Sequence, residues 1–351
     1  MFYNWKNSIN EIELNDVANS IKNGEIVVMP TETVYGIGAD LFNEDAIKKI
    51  FIAKNRPATN PLIVHIGNKN EIDMVAQKPN EIEQALIDAF MPGPFTIILK
   101  KKDCILDIVS AGLDTIGVRM PSNEIANRII TKVGNPIVLP SANISGRPSG
   151  TRVEDIFEEL ESKVYAIVDG GESPIGLEST VVKVVDDVPV ILRPGKITLE
   201  DIVKVVGKCE LDKNIFQKPA EVVDAQMPGS KLEHYVSKLE CNLICGQNND
   251  KIIDKIKEII QQRNGKVAII AFEDIIEKID ISKDRLFPIS RTDNIEKDEL
   301  EYAEKLYRYI REAENTDSDL ILIQGVKEEG LGVAIMNRLL RTSSFKIINV
   351  D

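Results

Sequence analysis

The sequence is poor in the residues that build metal sites and disulfide frameworks. Its 351 residues include only four cysteines and two histidines. Cys104, Cys209, Cys241 and Cys245 are too few and too scattered to cross-link a chain of this length, so a reducing cytoplasm is the expected location. Cys241-x3-Cys245 has no second pair of ligands at zinc-finger spacing, and no protein-bound transition metal is expected.

Long apolar runs and an excess of positive charge are also absent. No apolar stretch approaches the roughly 18 residues that a membrane-spanning helix needs, and the N-terminal segment MFYNWKNSIN lacks the pattern of a signal peptide, so no membrane association is expected. Lys and Arg number 43 against 56 Asp and Glu, a net charge of −13. Phosphate-backbone contact needs a basic face, so no direct stable nucleic-acid binding is expected.

The composition that remains is that of a folded protein. Apolar residues make up 43% of the chain and charged residues 28%, which excludes the low-hydrophobicity composition of a disordered chain. At roughly 150 residues per domain, the length predicts about two domains.

Residues 1–208 are predicted to form a mixed α/β domain with a twisted mixed sheet. Short runs rich in Val and Ile predict strands, and amphipathic segments between them predict helices. The predicted strands are EIVVMP, PLIVHI, FTIILK, TIGVRM, PIVLP, STVVKVV and VPVILRP, and the predicted helices cover residues 43–54, 123–132 and 152–162.

The second half of the chain follows a different pattern. Residues 209–240 have no sustained period and contain a Pro-Gly turn, which predicts an interdomain linker. In residues 241–351, longer helices over 249–263, 295–313 and 330–341 alternate with buried strands. This alternation predicts a small parallel α/β domain of the Rossmann-like kind.

Polar and glycine-containing motifs follow several of the predicted strands, where α/β domains usually gather ligand-binding groups. They are Pro30-Thr31-Glu32-Thr33-Val34-Tyr35-Gly36, Lys54-Asn55-Arg56-Pro57, Pro92-Gly93-Pro94, Val118-Arg119-Met120-Pro121, Ser141-Ala142-Asn143-Ile144-Ser145-Gly146, Glu178-Ser179-Thr180 and Leu192-Arg193-Pro194-Gly195. Taken together, they make residues 10–205 strongly similar to the YrdC-like domain of threonylcarbamoyl-AMP synthases, including the K-x-R and S-x-N pairs of that family.

The rest of the chain resembles the longer, two-domain form of the same family. Residues 228–235, PGSKLEHY, look like its P-G-x-K-x-x-H-Y segment, with Ser230 and Leu232 as small departures. Residues 330–339, GLGVAIMNRL, look like its G-L-G-x-A-I-x-x-R-L element. In the family, the first of these segments crosses the mouth of the YrdC-like pocket, so the resemblance implies that the linker acts as a lid.

The resemblance implies a reaction and a set of ligands. The family makes L-threonylcarbamoyl-AMP and pyrophosphate from L-threonine, bicarbonate or CO2, and ATP with Mg²⁺. Its product passes to the tRNA threonylcarbamoyl transferase machinery, which forms N6-threonylcarbamoyladenosine in tRNA. The chain is therefore expected to be a cytoplasmic nucleotidyltransferase.

Several residues suit this chemistry by their type. Lys54 and Arg56 supply a point charge and a planar fork for phosphate oxygens, and Ser141 and Asn143 place a hydroxyl and an amide on one loop. These four are the predicted catalytic residues. The family's motifs assign Thr33, His65, Arg119 and Ser179 to threonine, and Arg56, Asn60, Thr115, Ser141, Ser149, Arg193 and Tyr235 to ATP. By their chemistry, Lys54 and Asn143 are also predicted to bind ATP.

No residue stands out as a general base, and the phosphate-binding motif G-x-x-x-x-G-K-[ST] is absent from the sequence. Catalysis is therefore expected to rest on positioning and electrostatics.

Two other functions share the YrdC-like fold. One is an RNA-binding module without chemistry of its own, which the negative charge disfavours. The other is a carbamoyltransferase of the hydrogenase-maturation type, which is disfavoured because the chain lacks cysteine-rich zinc modules and an acylphosphatase-like region.

Overall fold

The computed structural model describes residues 1–218, 235–264 and 266–350. The chain divides into two compact units. The described residues of the first unit are 1–145 and 149–218, and those of the second are 146–148, 235–264 and 266–350. Half of the predicted linker, residues 219–234, lies outside the described residues, so the predicted domain boundaries at 208 and 241 stay predictions. None of the described helices is long and apolar enough to cross a membrane.

The first unit is built on a mixed sheet whose eleven strands are short. Their bounds are β1 Phe2–Asn4, β2 Val27–Met29, β3 Gly36–Asp40, β4 Ile63–His65, β5 Phe95–Lys100, β6 Thr115–Arg119, β7 Ile137–Val138, β8 Ala166–Asp169, β9 Thr180–Val185, β10 Val188–Arg193 and β11 Glu210–Leu211. The order across the sheet is β1-β8-β2-β3-β7-β4-β6-β5-β9-β10-β11. Both parallel and antiparallel pairs occur, which confirms the predicted mixed α/β class.

Among the described residues, eight α-helices accompany this sheet. They are α1 Glu11–Lys22, α2 Glu44–Lys54, α3 Ile72–Val75, α4 Glu81–Phe90, α5 Asp107–Ser110, α6 Glu124–Val133, α7 Phe157–Leu160 and α8 Leu199–Val206. Side-chain caps fix where the longer ones begin. Asn43, for example, accepts a hydrogen bond from the Ala46 amide at the start of α2, and Asn80 and Glu83 form a capping box on α4.

The core of the first unit lies on both faces of the sheet. Successive residues of a strand point to opposite faces, so Val28 joins one apolar cluster while Val27 and Met29 join another. Helix α2 covers the first cluster, and α1 and α6 cover the second. The two clusters hold the strands in place, so the loops that follow them present their polar side chains at fixed positions.

The predicted helix over residues 152–162 was wrong in its length. The structure has a short 3-10 turn over Val153–Asp155 followed by the four-residue α7. The Asp155 carboxylate accepts hydrogen bonds from the backbone amides of Thr151 and Arg152, which tightens the chain into a turn where a regular helix was expected.

The described residues of the second unit form a five-stranded sheet with four α-helices. The strands are β12 Glu240–Cys245, β13 Val267–Phe272, β14 Leu286–Ile289, β15 Leu320–Gln324 and β16 Ile347–Asn349, and the helices are α9 Asn249–Gln262, α10 Glu273–Ile276, α11 Ile295–Glu314 and α12 Gly332–Thr342. Every strand pair is parallel, as predicted. The strand order is β14-β13-β15-β12-β16, so the fourth strand in sequence lies between the first and the second.

Candidate active site

The loop between β2 and β3 places three polar residues inside the first unit. Thr31, Glu32 and Thr33 are all buried. The Thr31 hydroxyl donates to the Val34 carbonyl at 2.6 Å and lies 2.8 Å from the Thr33 hydroxyl, while Ser173 donates to the Thr31 carbonyl at 2.9 Å. These bonds satisfy a turn that would otherwise bury unpaired backbone groups. They hold Thr33 and Glu32 in one place.

Strands β4 and β6 bring His65 and Arg119 side by side. The strands are parallel, and the two residues are register partners at the carboxyl ends of both. Arg119 is 5% exposed, and its Nη2 donates to Oε1 of Glu32 at 2.7 Å, which joins the strand end to the β2–β3 loop. Parallel pairing places both side chains on the same face, where loops following strands form ligand sites.

His65 is held as a neutral imidazole. Burial lowers the pKa of His65 well below its ordinary value, and the positive charges of Arg119 and Arg193 lower it further. Its Nδ1 lies 3.1 Å from the Ile63 carbonyl. A carbonyl can only accept a hydrogen bond, so Nδ1 carries the proton and Nε2 presents a lone pair.

Ser179 and Arg193 are fixed together at the start of β9 and the end of β10. Arg193 donates from Nε to the Ser179 carbonyl and from Nη2 to the Ser179 hydroxyl, both at 3.1 Å. Thr96 on β5 lies 2.8 Å from the same hydroxyl. The structure therefore links Ser179 to Arg193, and through the charge of Arg193 to His65.

Lys54, at the end of α2, reaches the loop that follows β7. Its ammonium donates to the carbonyls of Ser141 and Asn143, the second at 2.7 Å. The side chain is 1% exposed. Burial lowers the pKa of Lys54 well below its ordinary value, and the nearby charge of Arg56 lowers it further. On the same loop, the Ser141 hydroxyl donates to Oδ1 of Asn143 at 2.6 Å, so the two members of the predicted S-x-N pair are in contact.

Two further pairs include three more predicted residues of the first unit, Arg56, Asn60 and Ser149. Arg56 donates to the carbonyls of Asn60 and Pro61 at 3.2 and 2.9 Å, which orders the loop after α2. The Ser149 hydroxyl donates to the buried carboxylate of Glu178 at 2.7 Å, and the charge of Glu178 also acts on Lys54.

The structure does not bring every predicted residue into these groups. Thr115 begins β6, four residues from Arg119, and at roughly 3.3 Å per residue it lies about 13 Å away along the strand. Tyr235 belongs to the second unit, where its ring stacks on Tyr307 at 5.4 Å and carries Arg338 over its face. The predicted contacts of Thr115 and Tyr235 with ATP stay predictions.

Four buried residues were missed by the sequence analysis as site residues. Thr31 and Glu32 lie in the motif of residues 30–36, and Glu178 lies in the motif of residues 178–180. The motifs could therefore have suggested all three. Thr96 lies within a regular strand, and no local pattern distinguishes it. Among the described residues, no group of three or more His, Cys, Asp or Glu could hold a metal ion.

Comparison with known proteins identifies both halves of the chain. Residues 19–195 match the family described as telomere recombination (Sua5_yciO_yrdC), and residues 197–344 match the C-terminal domain of threonylcarbamoyl-AMP synthase. The threonylcarbamoyl-AMP synthase of Pyrococcus abyssi is 39% identical over 350 residues, covering 99% of this chain and 98% of that protein. The Bacillus subtilis enzyme is 37% identical over 343 residues, covering 97% and 96%.

A solved structure agrees with these relatives. The crystal structure of P. abyssi Sua5 complexed with L-threonine matches this fold with a TM-score of 0.92 and 39% identity, over 100% of both chains. The resemblance drawn from the loop motifs is thereby confirmed, together with the YrdC-like fold. The chain belongs to the threonylcarbamoyl-AMP synthase family.

Proposed function

We propose that this chain joins L-threonine, bicarbonate or CO2, and ATP into L-threonylcarbamoyl-AMP and pyrophosphate, and that the buried residues at the strand ends of the first unit carry the reaction. One observation carries the proposal: His65 and Arg119 are neighbours at two strand ends, and the charge of Arg193, which is bonded to Ser179, acts on His65. The P. abyssi relative was crystallised with L-threonine. Full-length relatives named as the synthase favour the enzyme over an RNA-binding module.

Threonine binds to the cluster around Arg119. The guanidinium suits the substrate carboxylate because it offers parallel donors at a fixed position. Nε2 of the neutral His65 accepts a hydrogen bond from the threonine hydroxyl, and Thr33 and Ser179 supply further hydroxyl groups. A protonated histidine would have no acceptor, so the lowered pKa of His65 suits this task.

ATP binds as its Mg²⁺ complex to the residues around α2 and the loop that follows β7. Arg56 and Lys54 supply positive charge. The remaining protein contacts come from Asn60, Thr115, Ser141, Asn143, Ser149, Arg193 and Tyr235. Lys54 contributes mainly by holding the Ser141–Asn143 loop, because its ammonium donates to the carbonyls of that loop. The positive charge of these side chains stabilises the negative charge that develops on the departing pyrophosphate.

The reaction needs two bond-forming steps. The neutral threonine amine attacks the carbon of CO2, one C=O π bond opens onto its oxygen, and the nitrogen releases a proton, which gives the carbamate. With bicarbonate the same carbamate forms as the C–OH bond breaks and the hydroxyl leaves as water with the amine proton. A carbamate oxygen then attacks the α-phosphorus, and the bond to the β-phosphate oxygen breaks as pyrophosphate departs. Positioning of the two substrates supplies much of the rate, since no covalent nucleophile is required. The carbamate must also be shielded from water until it is adenylated.

The organisation of the chain follows from this proposal. Residues 1–208 form the catalytic domain and residues 241–351 form the C-terminal domain. Residues 209–240, whose described ends 209–218 and 235–240 belong to the two units, contain the linker that closes over the bound substrates. The lid segment, residues 228–235, lies outside the described residues except for Tyr235. The product passes to the tRNA threonylcarbamoyl transferase machinery in the cytoplasm, where ATP and tRNA are present together.

Product analysis tests the reaction. The purified chain is incubated with ATP, Mg²⁺, labelled bicarbonate and L-threonine, and each component is omitted in turn. We expect a labelled adenylate and one pyrophosphate per product, both dependent on threonine. A salt-dependent gel shift with tRNA in place of any product would favour the RNA-binding module instead.

A further inference from the structure

The buried pair of Glu32 and Arg119 has one member whose function is unassigned. Glu32 is 7% exposed and Arg119 5%, and a single hydrogen bond of 2.7 Å joins Oε1 to Nη2. The two residues are 87 positions apart in the chain, so the contact exists only in the folded protein. Arg119 has a proposed ligand in the threonine carboxylate, but no ligand follows from the motifs for Glu32.

The pair leaves one hydrogen-bonding atom unused on each side. Among the residues that the structure describes, none donates to Oε2 of Glu32 and none accepts from Nε of Arg119, although both atoms are buried. Buried polar atoms are nearly always hydrogen-bonded, and an uncompensated carboxylate oxygen is among the costliest groups to bury. A site that binds a ligand can retain such atoms because the ligand satisfies them.

The two charges that act on His65, the register partner of Arg119, are both positive. Arg119 and Arg193 both act on His65 as cations, and His65 itself is neutral. Thr33 and Ser179 contribute uncharged hydroxyl groups. Without Glu32 the surroundings would suit the carboxylate of an amino acid and would repel its ammonium group. The Glu32 carboxylate corrects this imbalance beside Arg119.

We propose that Oε2 of Glu32 binds the α-ammonium group of the substrate while Arg119 binds its carboxylate. This contact belongs to the threonine complex that forms before the amine loses its proton and attacks. The two charged groups of an α-amino acid are attached to one carbon atom, and the Glu32–Arg119 pair presents the two complementary charges side by side. Glu32 is thereby a specificity-determining residue that selects an α-amino acid over the same acid without its amine. The proposal rests on the proposed use of threonine by this cluster.

Two other roles for Glu32 make different predictions. If Glu32 only positions Arg119, its loss weakens the binding of every ligand that carries a carboxylate. If the Glu32 carboxylate occupies the place of the substrate carboxylate in the empty enzyme, its loss strengthens binding. Only if Glu32 binds the α-ammonium group does the effect of its loss on binding depend on whether the ligand has an amine.

The test is isothermal titration calorimetry on the full chain and on Glu32→Gln, which keeps the shape of the side chain and removes its charge. The ligands are L-threonine and (R)-3-hydroxybutanoate, which is threonine without its amine. We expect Glu32→Gln to raise the dissociation constant of L-threonine by about 10- to 100-fold, the contribution of one charge-assisted hydrogen bond. The dissociation constant of (R)-3-hydroxybutanoate should not change. Equal weakening of both ligands, or tighter binding of either, overturns the proposal.

A matched control separates the site from a general effect of the substitution. Glu11→Gln removes the carboxylate of another Glu–Arg pair in the same unit, with Arg128, and we expect it to bind both ligands as the unaltered chain does. Failure of the proposed function gives a different result, because the unaltered chain would then bind no L-threonine.

A crystal structure of the unaltered chain with L-threonine tests the same contact where Glu32→Gln does not fold or the hydroxy acid binds too weakly to measure. We expect the ammonium nitrogen within about 3.2 Å of Oε2, the reach of a hydrogen bond. An ammonium group bound elsewhere, with Glu32 contacting only Arg119, overturns the proposal.

Discussion

Glu32 in the first unit and Asp298 in the second are both buried carboxylates, but they are satisfied in different ways. Asp298 accepts hydrogen bonds from the amide and the hydroxyl of Thr292, six residues earlier, at 2.9 and 2.7 Å. Glu32 is paired on one oxygen, with a residue 87 positions away. Burial of charge is therefore a poor indicator of function by itself. A buried carboxylate points to a function when its partner is distant in sequence and when one of its oxygens accepts no hydrogen bond from the described residues.

The largest effect that tests this comparison is expected from Arg119→Ala. The substrate carboxylate then loses a buried charge-assisted partner, a loss of about 2–5 kcal/mol. We expect the KM for threonine to rise far more than the KM for ATP in a pyrophosphate-release assay. Arg128→Ala, which removes a surface pair with Glu11, should change neither constant. Small, equal changes in both constants for Arg119→Ala would make Arg119 a structural residue.

Lys54→Met should give the next largest effect. The carbonyls of Ser141 and Asn143 lose a charged donor, at about 1.5–3 kcal/mol for each hydrogen bond. We expect the KM for ATP to rise at least tenfold and the thermal midpoint to fall. Lys48→Met on the same helix removes only exposed pairs with Glu44 and Asp45 and serves as the control. Normal pyrophosphate release by Lys54→Met would contradict the assignment of Lys54 to nucleotide handling.

Asp298→Ala probes the other half of the comparison. The amide and hydroxyl of Thr292 lose their acceptor, so we expect the free energy of unfolding to fall by about 1.5–3 kcal/mol in chemical denaturation. The KM for threonine should stay unchanged, because the carboxylate is used within the second unit. Asp293→Ala, at an exposed position nearby, should have little effect on either quantity. A large rise in the KM for threonine would remove the distinction between the two carboxylates.

The smallest effect concerns pH and His65. The pKa of His65 in the folded chain lies well below its value in the unfolded chain, about 6.5, so the unfolded chain binds this proton more readily. The free energy of unfolding should therefore fall as the pH drops below about 6.5, by at most about 1.4 kcal/mol per pH unit. Denaturation between pH 7.5 and 5.5 measures this slope, and His65→Gln should flatten it. An unchanged slope in His65→Gln would assign the effect to other groups.

Local sequence patterns predicted much of the secondary structure and missed a defined part of it. The Val- and Ile-rich runs correspond to strands β2, β4, β5, β6, β7, β9 and β10, and the Asn-capped segments correspond to α2 and α6. Helices α4 and α8 were missed, although each begins with a capping box, Asn80 with Glu83 and Thr198 with Asp201. Strand β8 was missed because a short apolar run carries no period that separates strand from helix.

The candidate site was predicted in its residue types and only partly in its contacts. Ser141 and Asn143 are neighbours in sequence, so their contact could be anticipated. The contact of Lys54 with phosphate stays a prediction, and what the sequence did not suggest is that its ammonium is bonded to two loop carbonyls. Local sequence does not reveal how deeply a side chain is buried, because burial depends on segments that arrive from elsewhere in the chain.

By itself, the sequence determined the class of fold, the alternation of strands and helices and the family, because these depend on periodicity, caps and ordered motifs. Only the tertiary structure decided that β8 lies between β1 and β2, that His65 stands beside Arg119, and that Glu32 meets Arg119. The physical reason is that strand order and buried ion pairs are contacts between residues far apart in the chain. Such contacts form when the apolar faces pack together, and no local pattern records them.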